Sequence, residues 1–425
     1  MATTSRDLQT VGRRGGPARR RGRTGRWLVA GLGVGLAAAA WAEGFRSPTI
    51  GAAGLGSTGG RRVFVEDASA AVHNPANLTR LERWEASFEP TLAYHSVRFE
   101  GPLGGAKTQN PWKFLPHLFA GGPVIDEVAA AGLAVTVPYG LSIDWGDGGA
   151  LQSWAPHYVE LQSFDVSPVL AVKLCPRLTV AAGMDVMWSE LEFRQMGGAL
   201  GLPLSEVRGK GDGVGWSGNF ALSWNPVGSH RLAVTVRVPM DVAYTGDIGM
   251  NNVPGVPGGA VVAPLKTSFA FPTIIGAGYG LEVCPRLKLE ADVEWLQFSR
   301  FDTLELQTPL ALPPAFQTQR HDWRDTITVG VGGVYDLGGG WHLRLSYQFF
   351  QTPTRGATFT PAIPDADQHV VSVGIGYRKG RHRFEAAYAP VFYEDRTIAA
   401  NQNPAVVGRY EFNVHLLSVA YGCSF

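Results

Sequence analysis

Apolar and polar residues alternate strictly along most of this chain after residue 84. Between Trp341 and Phe349 the odd positions are Trp341, Leu343, Leu345, Tyr347 and Phe349, and the even ones His342, Arg344, Ser346 and Gln348. From Arg286 to Trp295 one face reads Leu287, Leu289, Ala291, Val293, Trp295; the other reads Arg286, Lys288, Glu290, Asp292, Glu294. Trp84 to Tyr94 and Leu232 to Val238 repeat the period. A period of two is that of β-strands with one apolar and one polar face. Residues 43–83 depart from it. The stretch Glu43 to Gly60 is too rich in glycine for a strand or a stable helix. Asp67 to Leu78 predicts a short helical turn, with Asp67 as its cap and Asn74-Pro75 as its end.

A soluble sandwich alternates as well, with its apolar face turned inward. Three features point instead to lipid. The strands run to roughly 9–11 residues or more, enough to cross a bilayer when tilted. Trp and Tyr recur near strand ends, where membrane barrels carry aromatic girdles. Leu417, Val419, Tyr421, Cys423 and the terminal Phe425 share one face, which resembles the C-terminal signal read by the outer-membrane barrel assembly machinery. With no water to satisfy backbone groups, a membrane sheet must close on itself. The fold expected is therefore all-β, an antiparallel transmembrane barrel over 84–425, with Glu290, Asp292 and Glu294 facing the lumen and outer-membrane lipid against the outside. Fourteen strands give roughly 24 residues per strand and connection, and twelve or sixteen stay open on length alone. The irregular segment 43–83 would sit in the lumen as a plug, or hatch.

Charge sharpens this picture. The formal net charge of +1 conceals an asymmetry, because the first 42 residues hold eight arginines and one acid. The remainder carries 29 basic and 35 acidic residues, about −6. The arginines lead into a 14-residue apolar run, Trp27 to Ala40, and then Ala40-Trp41-Ala42. Basic region, short apolar region and small-residue exit are the parts of a secretory signal peptide, expected over 1–42. The run is too short for a membrane anchor, and a nucleic-acid-binding arm would not lead into such an exit. Export to the outer membrane of a Gram-negative cell is the reading.

Three cysteines cannot build a disulfide framework. Cys175 and Cys284 each begin a Cys-Pro-Arg-Leu stretch between apolar runs, which reads as a turn. The chain has no Gly-x-Ser-x-Gly elbow, no His-Glu-x-x-His and no phosphate loop. No metal, cofactor or enzymatic role is expected. A lipid hydrolase assembled from scattered His residues is the alternative of another class, and a general porin or adhesive barrel a third.

Several motifs resemble those of the FadL family of outer-membrane transporters for long-chain fatty acids and other hydrophobic compounds, which includes aromatic-hydrocarbon channels. Glu66-Asp67-Ala-Ser-Ala-Ala-Val-His-Asn74-Pro75-Ala76 resembles the family's plug signature. Val137-Pro-Tyr139-Gly140-Leu141 resembles its Tyr-Gly-Leu after the third strand, and Trp323-Arg324-Asp325-Thr326 an aromatic-basic-Asp block. Thr352-Pro353 and Ile363-Pro364-Asp365-Ala366-Asp367 resemble a family loop, and His415 to Phe425 the final strand. The resemblance implies a 14-stranded barrel, a lumen plug, and passive uptake with sideways release at a kinked third strand. It implies that Phe45 occupies the ligand pocket, and that Arg324 and Arg194 meet a fatty-acid carboxylate. Gly132, among small residues in Glu127 to Val137, is the expected kink. The apolar loop 250–264, with Met250, Val253, Val256, Val261 and Val262, is the expected docking surface for ligand, together with Leu200 to Leu204. Uptake of aromatic hydrocarbons, needing no carboxylate partner, is the alternative within the class.

Overall fold

A computed structural model describes residues 43–47, 49–146 and 149–425; the expected leader, 1–42, lies outside them. Among the described residues, fourteen antiparallel strands form one closed sheet. They are β1 (Glu85–Phe88, Thr91–Gly101), β2 (Gly104–Lys107, Trp112–Leu115, Leu118–Ile125), β3 (Ala129–Thr136, Leu141–Asp144), β4 (Tyr158–Cys175) and β5 (Leu178–Gly197). Then come β6 (Leu202–Val227), β7 (His230–Arg237, Met240–Met250), β8 (Val261–Phe271, Ile274–Cys284), β9 (Leu287–Leu296) and β10 (Thr326–Gly338). The last are β11 (Trp341–Phe350), β12 (Gln368–Lys379), β13 (His382–Tyr393) and β14 (Gly408–Ser424). Closure comes from β14 pairing with β1, Glu85 opposite Ser424 and Thr91 opposite Ser418.

Tight turns join the strands at one end: 176–177, 228–229, 285–286, 339–340 and 380–381. Cys175 and Cys284 are exposed beside two of them. Longer connections lie at the other end, the arrangement of outer-membrane barrels with short periplasmic turns and long extracellular loops. Side-chain alternation sorts the wall as the pattern demanded. Leu289, Val293, Val329, Val331, Leu345 and Tyr347 are exposed outward, while Glu290, Glu294, Ser346 and Gln348 are buried inward. No helix among the described residues is long and apolar enough to cross a membrane.

The residues before β1 lie against the inward-facing side chains. Short helices at Ala52–Gly56, Ala70–His73 and Pro75–Arg80 are the only regular structure described there. Asp67 does not cap with a first-turn bond to the helix; its carboxylate instead accepts from the Ser69 amide at 3.0 Å and pairs with Arg61. Asn74 ends one helix and caps the next, accepting from the Ala76 amide at 3.2 Å. Two backbones touch where Gly59, at φ 75°, meets Gly330 of β10, and a Cβ on Gly330 would stand 2.3 Å from the Gly59 Cα. Gly330→Val is therefore expected to cost the docked segment about 1–3 kcal/mol through overpacking. Limited proteolysis between residues 43 and 81 should speed up about tenfold while the heat resistance of the barrel stays; unchanged cleavage would show that the contact gives way freely.

Candidate functional site

The site is built where the first described residues cross β3. The β3–β4 ladder stops at Thr136 opposite Asp165 and resumes at Leu141 opposite Leu161. Four residues, 137–140, thus face three on β4, and Pro138 within them has no amide to donate. Residues 45–47 take up the freed groups. The Ser47 amide donates to the Pro138 carbonyl at 2.9 Å, and the Gly140 amide to the Phe45 carbonyl at 2.8 Å. On the other side, the β2–β3 ladder ends at Leu118 opposite Val135. Gly132 is not the break: it pairs regularly with Gly121 and Val169. A Cβ there would lie 2.7 Å from the Leu78 side chain, so its smallness serves close packing of the N-terminal segment.

Phe45 is fully buried inside a cage of rings. Trp323 stacks on it at 5.3 Å and 21°. Phe269, Phe301, Phe271, Phe298 and Tyr139 meet it edge-on at 4.7, 5.3, 5.5, 5.5 and 6.0 Å. Edge-to-face pairs of this kind add about 0.5–1.5 kcal/mol each beyond area burial. Phe269 and Phe271 share the inward face of β8; Phe298 and Phe301 begin the β9–β10 connection. Sequence reasoning found Phe45 but not these four. The Phe-x-Phe spacing on an inward face was the available signal.

Neighbours of Phe45 hold it in place. Gly44 has φ 70°, and a Cβ there would strike the Trp323 ring at 2.4 Å. Its amide donates to the buried Asp365 carboxyl at 3.1 Å, which also accepts from the Thr352 hydroxyl at 2.6 Å. Arg46 pairs with Glu43 at 2.7 Å and with Glu294 of β9 at 2.8 Å. Beneath the cage, Arg46, Arg61, Arg62, Arg237, Asp292 and Glu294 share the lining of a cavity of about 150 Å³ with apolar side chains such as Val72, Phe220 and Ile274, and it reaches Pro138 and Tyr139.

The other expected residues separate. Arg324 is half-buried beside the cage and its Nε donates to the Thr352 carbonyl at 3.1 Å, tying it to the same loop as Asp365. Arg194 is not in the lumen: with Trp188 and Glu192 it shares the outward face of β5, paired to Glu192 at 2.7 Å. Asn74 bonds the Arg62 carbonyl at 2.8 Å and Ser223 of β6 at 2.9 Å, and Pro75 and Ala76 are buried beside it. Met250, Val261 and Val262 prove to be strand ends, leaving Val253 and Val256 half-buried in a ten-residue connection. Leu204 and Val262 are exposed, whereas Leu200 packs on the cage cluster.

Burial, offset by Thr352, the Gly44 amide and Arg396, pushes the Asp365 carboxyl up to about 7. A raised folded-state value means that its stabilisation is complete below about 4 and is lost as pH rises through about 7. Hydrogen exchange at the Gly44 and Gly140 amides, corrected for its intrinsic pH dependence, should therefore be faster at pH 8 than at pH 6. Asp365→Asn should flatten the difference, and a difference that persists in this variant places the titrating group elsewhere.

Residues 33–425 match the family described as outer membrane protein transport protein (OMPP1/FadL/TodX). NMB0088 of Neisseria meningitidis serogroup B, provisionally named an outer membrane protein, is 25% identical over 93% of this chain and 97% of its own length. A Pseudomonas aeruginosa FadL homologue superposes with a TM-score of 0.78 at 21% identity, covering 90% of this chain and 100% of the other. The Pseudomonas putida toluene transporter TodX gives 0.71 at 16%, covering 90% and 100%. The Ralstonia pickettii toluene transporter TbuX gives 0.68 at 16%, covering 90% and 99%.

Proposed function

We propose that this chain, which belongs to the outer membrane protein transport protein family (OMPP1/FadL/TodX), passes a neutral, ring-sized hydrophobic compound through the cage that now holds Phe45. Location in the outer membrane as a β-barrel and transport of hydrophobic compounds come with the family. Residues 43–83 are the plug of the barrel at 84–425, and Phe45 is its gate: a ligand enters by taking the place of the ring. Release is sideways, through the break at 137–140 into the bilayer, so that the ligand is never rehydrated. The family is one of transport channels, and the lipid-hydrolase alternative has no support.

The ring cage carries the choice of ligand. The six side chains around Phe45 present aromatic surface, and the nearest cations are engaged: Arg46 by two carboxylates, Arg324 by the loop carbonyl. A fatty acid needs a cation for its carboxylate; Arg324, with its Nε on Thr352, stands half-buried beside the cage and is not one of the six side chains around Phe45. Uptake of long-chain fatty acids is accordingly the second reading, and an aromatic hydrocarbon the first. Purified protein is titrated with toluene and with oleate, following tryptophan fluorescence against a Trp323→Phe control. Toluene should quench the Trp323 contribution, and Arg324→Ala should leave that response unchanged. Phe45→Ala, which empties the cage, should tighten toluene binding severalfold. Oleate binding lost in Arg324→Ala, with no toluene response, returns the fatty-acid reading.

A further inference from the structure

Arg194, displaced from the lumen, belongs to an ordered array on the outer wall of β4, β5 and β6. The ladders set four rows. Phe164, Trp188 and Val214 stand side by side as the last apolar row toward the extracellular end. Above them lie Gln162, Glu190 and Asp212, then Glu160, Glu192 and Lys210, then Tyr158, Arg194 and Arg208. Two arginines directly opposite each other on one face repel. They are held there by a single carboxylate: Glu192 bonds Arg194 at 2.7 Å and Arg208 at 3.0 Å, and lies 3.7 Å from Lys210. Arg194 also lies over the Tyr158 ring at 4.6 Å. The side chains of Arg194, Arg208 and Lys210 remain 36%, 52% and 46% exposed, so their guanidinium and ammonium groups have room for a further anion.

Height identifies that anion. The arginine row is six residues beyond the last apolar row on all three strands. At about 3.3 Å per residue and a tilt of about 40°, that is about 15 Å above the hydrocarbon. A phospholipid headgroup layer adds only about 5–7 Å per side. The two rows between carry Glu160, Glu190, Glu192, Asp212 and only one cation, Lys210, so they repel a phosphate seated just above the hydrocarbon. What reaches the arginines is a lipid whose anionic groups stand well away from its acyl chains.

We propose that this wall of β4–β6 binds lipopolysaccharide of the outer leaflet, with Arg194 and Arg208 taking phosphate or carboxylate groups of its core sugars by charge-assisted, forked hydrogen bonds. The site is independent of the transport route, since these side chains face away from the cage.

The test uses the full mature chain refolded in detergent without lipid. Affinity is measured for lipopolysaccharide with a complete phosphorylated core, for lipid A alone and for phosphatidylglycerol. The core-bearing lipid should bind tightest. Arg194→Ser with Arg208→Ser should weaken it at least about tenfold, leave the other two unchanged, and keep toluene binding as a control of folding. If the double variant does not refold, Arg208→Gln alone should weaken the core-bearing lipid about threefold. Equal affinity of wild type and variants for it, or lipid A binding as tightly as the complete lipid, overturns the assignment.

Discussion

Three carboxylates on alternate residues of β9 hold the N-terminal segment to the wall. Glu290 accepts the amides of Arg62 and Val63 at 2.5 Å and of Phe64 at 3.1 Å; Asp292 accepts that of Arg61 at 3.3 Å. Glu294 binds the guanidinium of Arg62 at 2.5 Å and of Arg46 at 2.8 Å. An irregular segment packed on the inward face of a sheet has few backbone partners of its own, and each unmet buried amide is costly. The carboxylates supply those partners at fixed height, because their spacing along a strand is fixed. At Glu294, charge removed from water is compensated by bonds and counter-charges together, the condition for a buried ion pair to persist. Arg46 is one residue from Phe45, so the ladder that anchors the segment also sets the position of the ring.

That coupling runs on to β3. Phe45 lends its carbonyl to Gly140, within the stretch where the β3–β4 ladder is interrupted. The ring and the break therefore share one short backbone. A backbone shift that carries Phe45 out of the cage would break the bonding to 137–140, and a change at the break reaches the ring through two hydrogen bonds. Asp365 joins the extracellular loop 351–367 to the same point through the Gly44 amide. Loop, ring and wall are thus three parts of one linkage.

The strands were legible because a one-residue slip in a two-sided sheet exchanges every side chain between lipid and lumen, so the alternation is enforced along each strand. Glu290, Asp292 and Glu294 were readable for the same reason. Parity also held the answer for Arg194: it shares even numbering with Val180, Met184 and Trp188 on β5, the lipid-facing set. Reading it as a pocket cation set aside the period that identified the strand. Gly132 misled for a different reason. A small residue in a strand marks close approach or a kink, and only the position of Leu78 distinguishes the two. The ring cage joins residues 45, 139, 269, 271, 298, 301 and 323, which no local pattern connects; closure of the barrel brings them together.

On the proposed route, the surroundings of the cage decide the direction of exit. Below it lies a cavity whose lining includes four arginines and two carboxylates, where an apolar ligand would displace hydration from charges. Beside it lies the interruption of β3, with the β2–β3 ladder ending at Val135 and lipid beyond the wall. Moving each buried methylene-sized group back to water costs about 0.8 kcal/mol, a cost that exit into lipid avoids and exit through a hydrated lumen carries. The charged floor and the broken strand act in the same sense. Charges are costly to place inside a barrel, and the β9 ladder, needed in any case to hold the segment, supplies Asp292 and Glu294 to the floor.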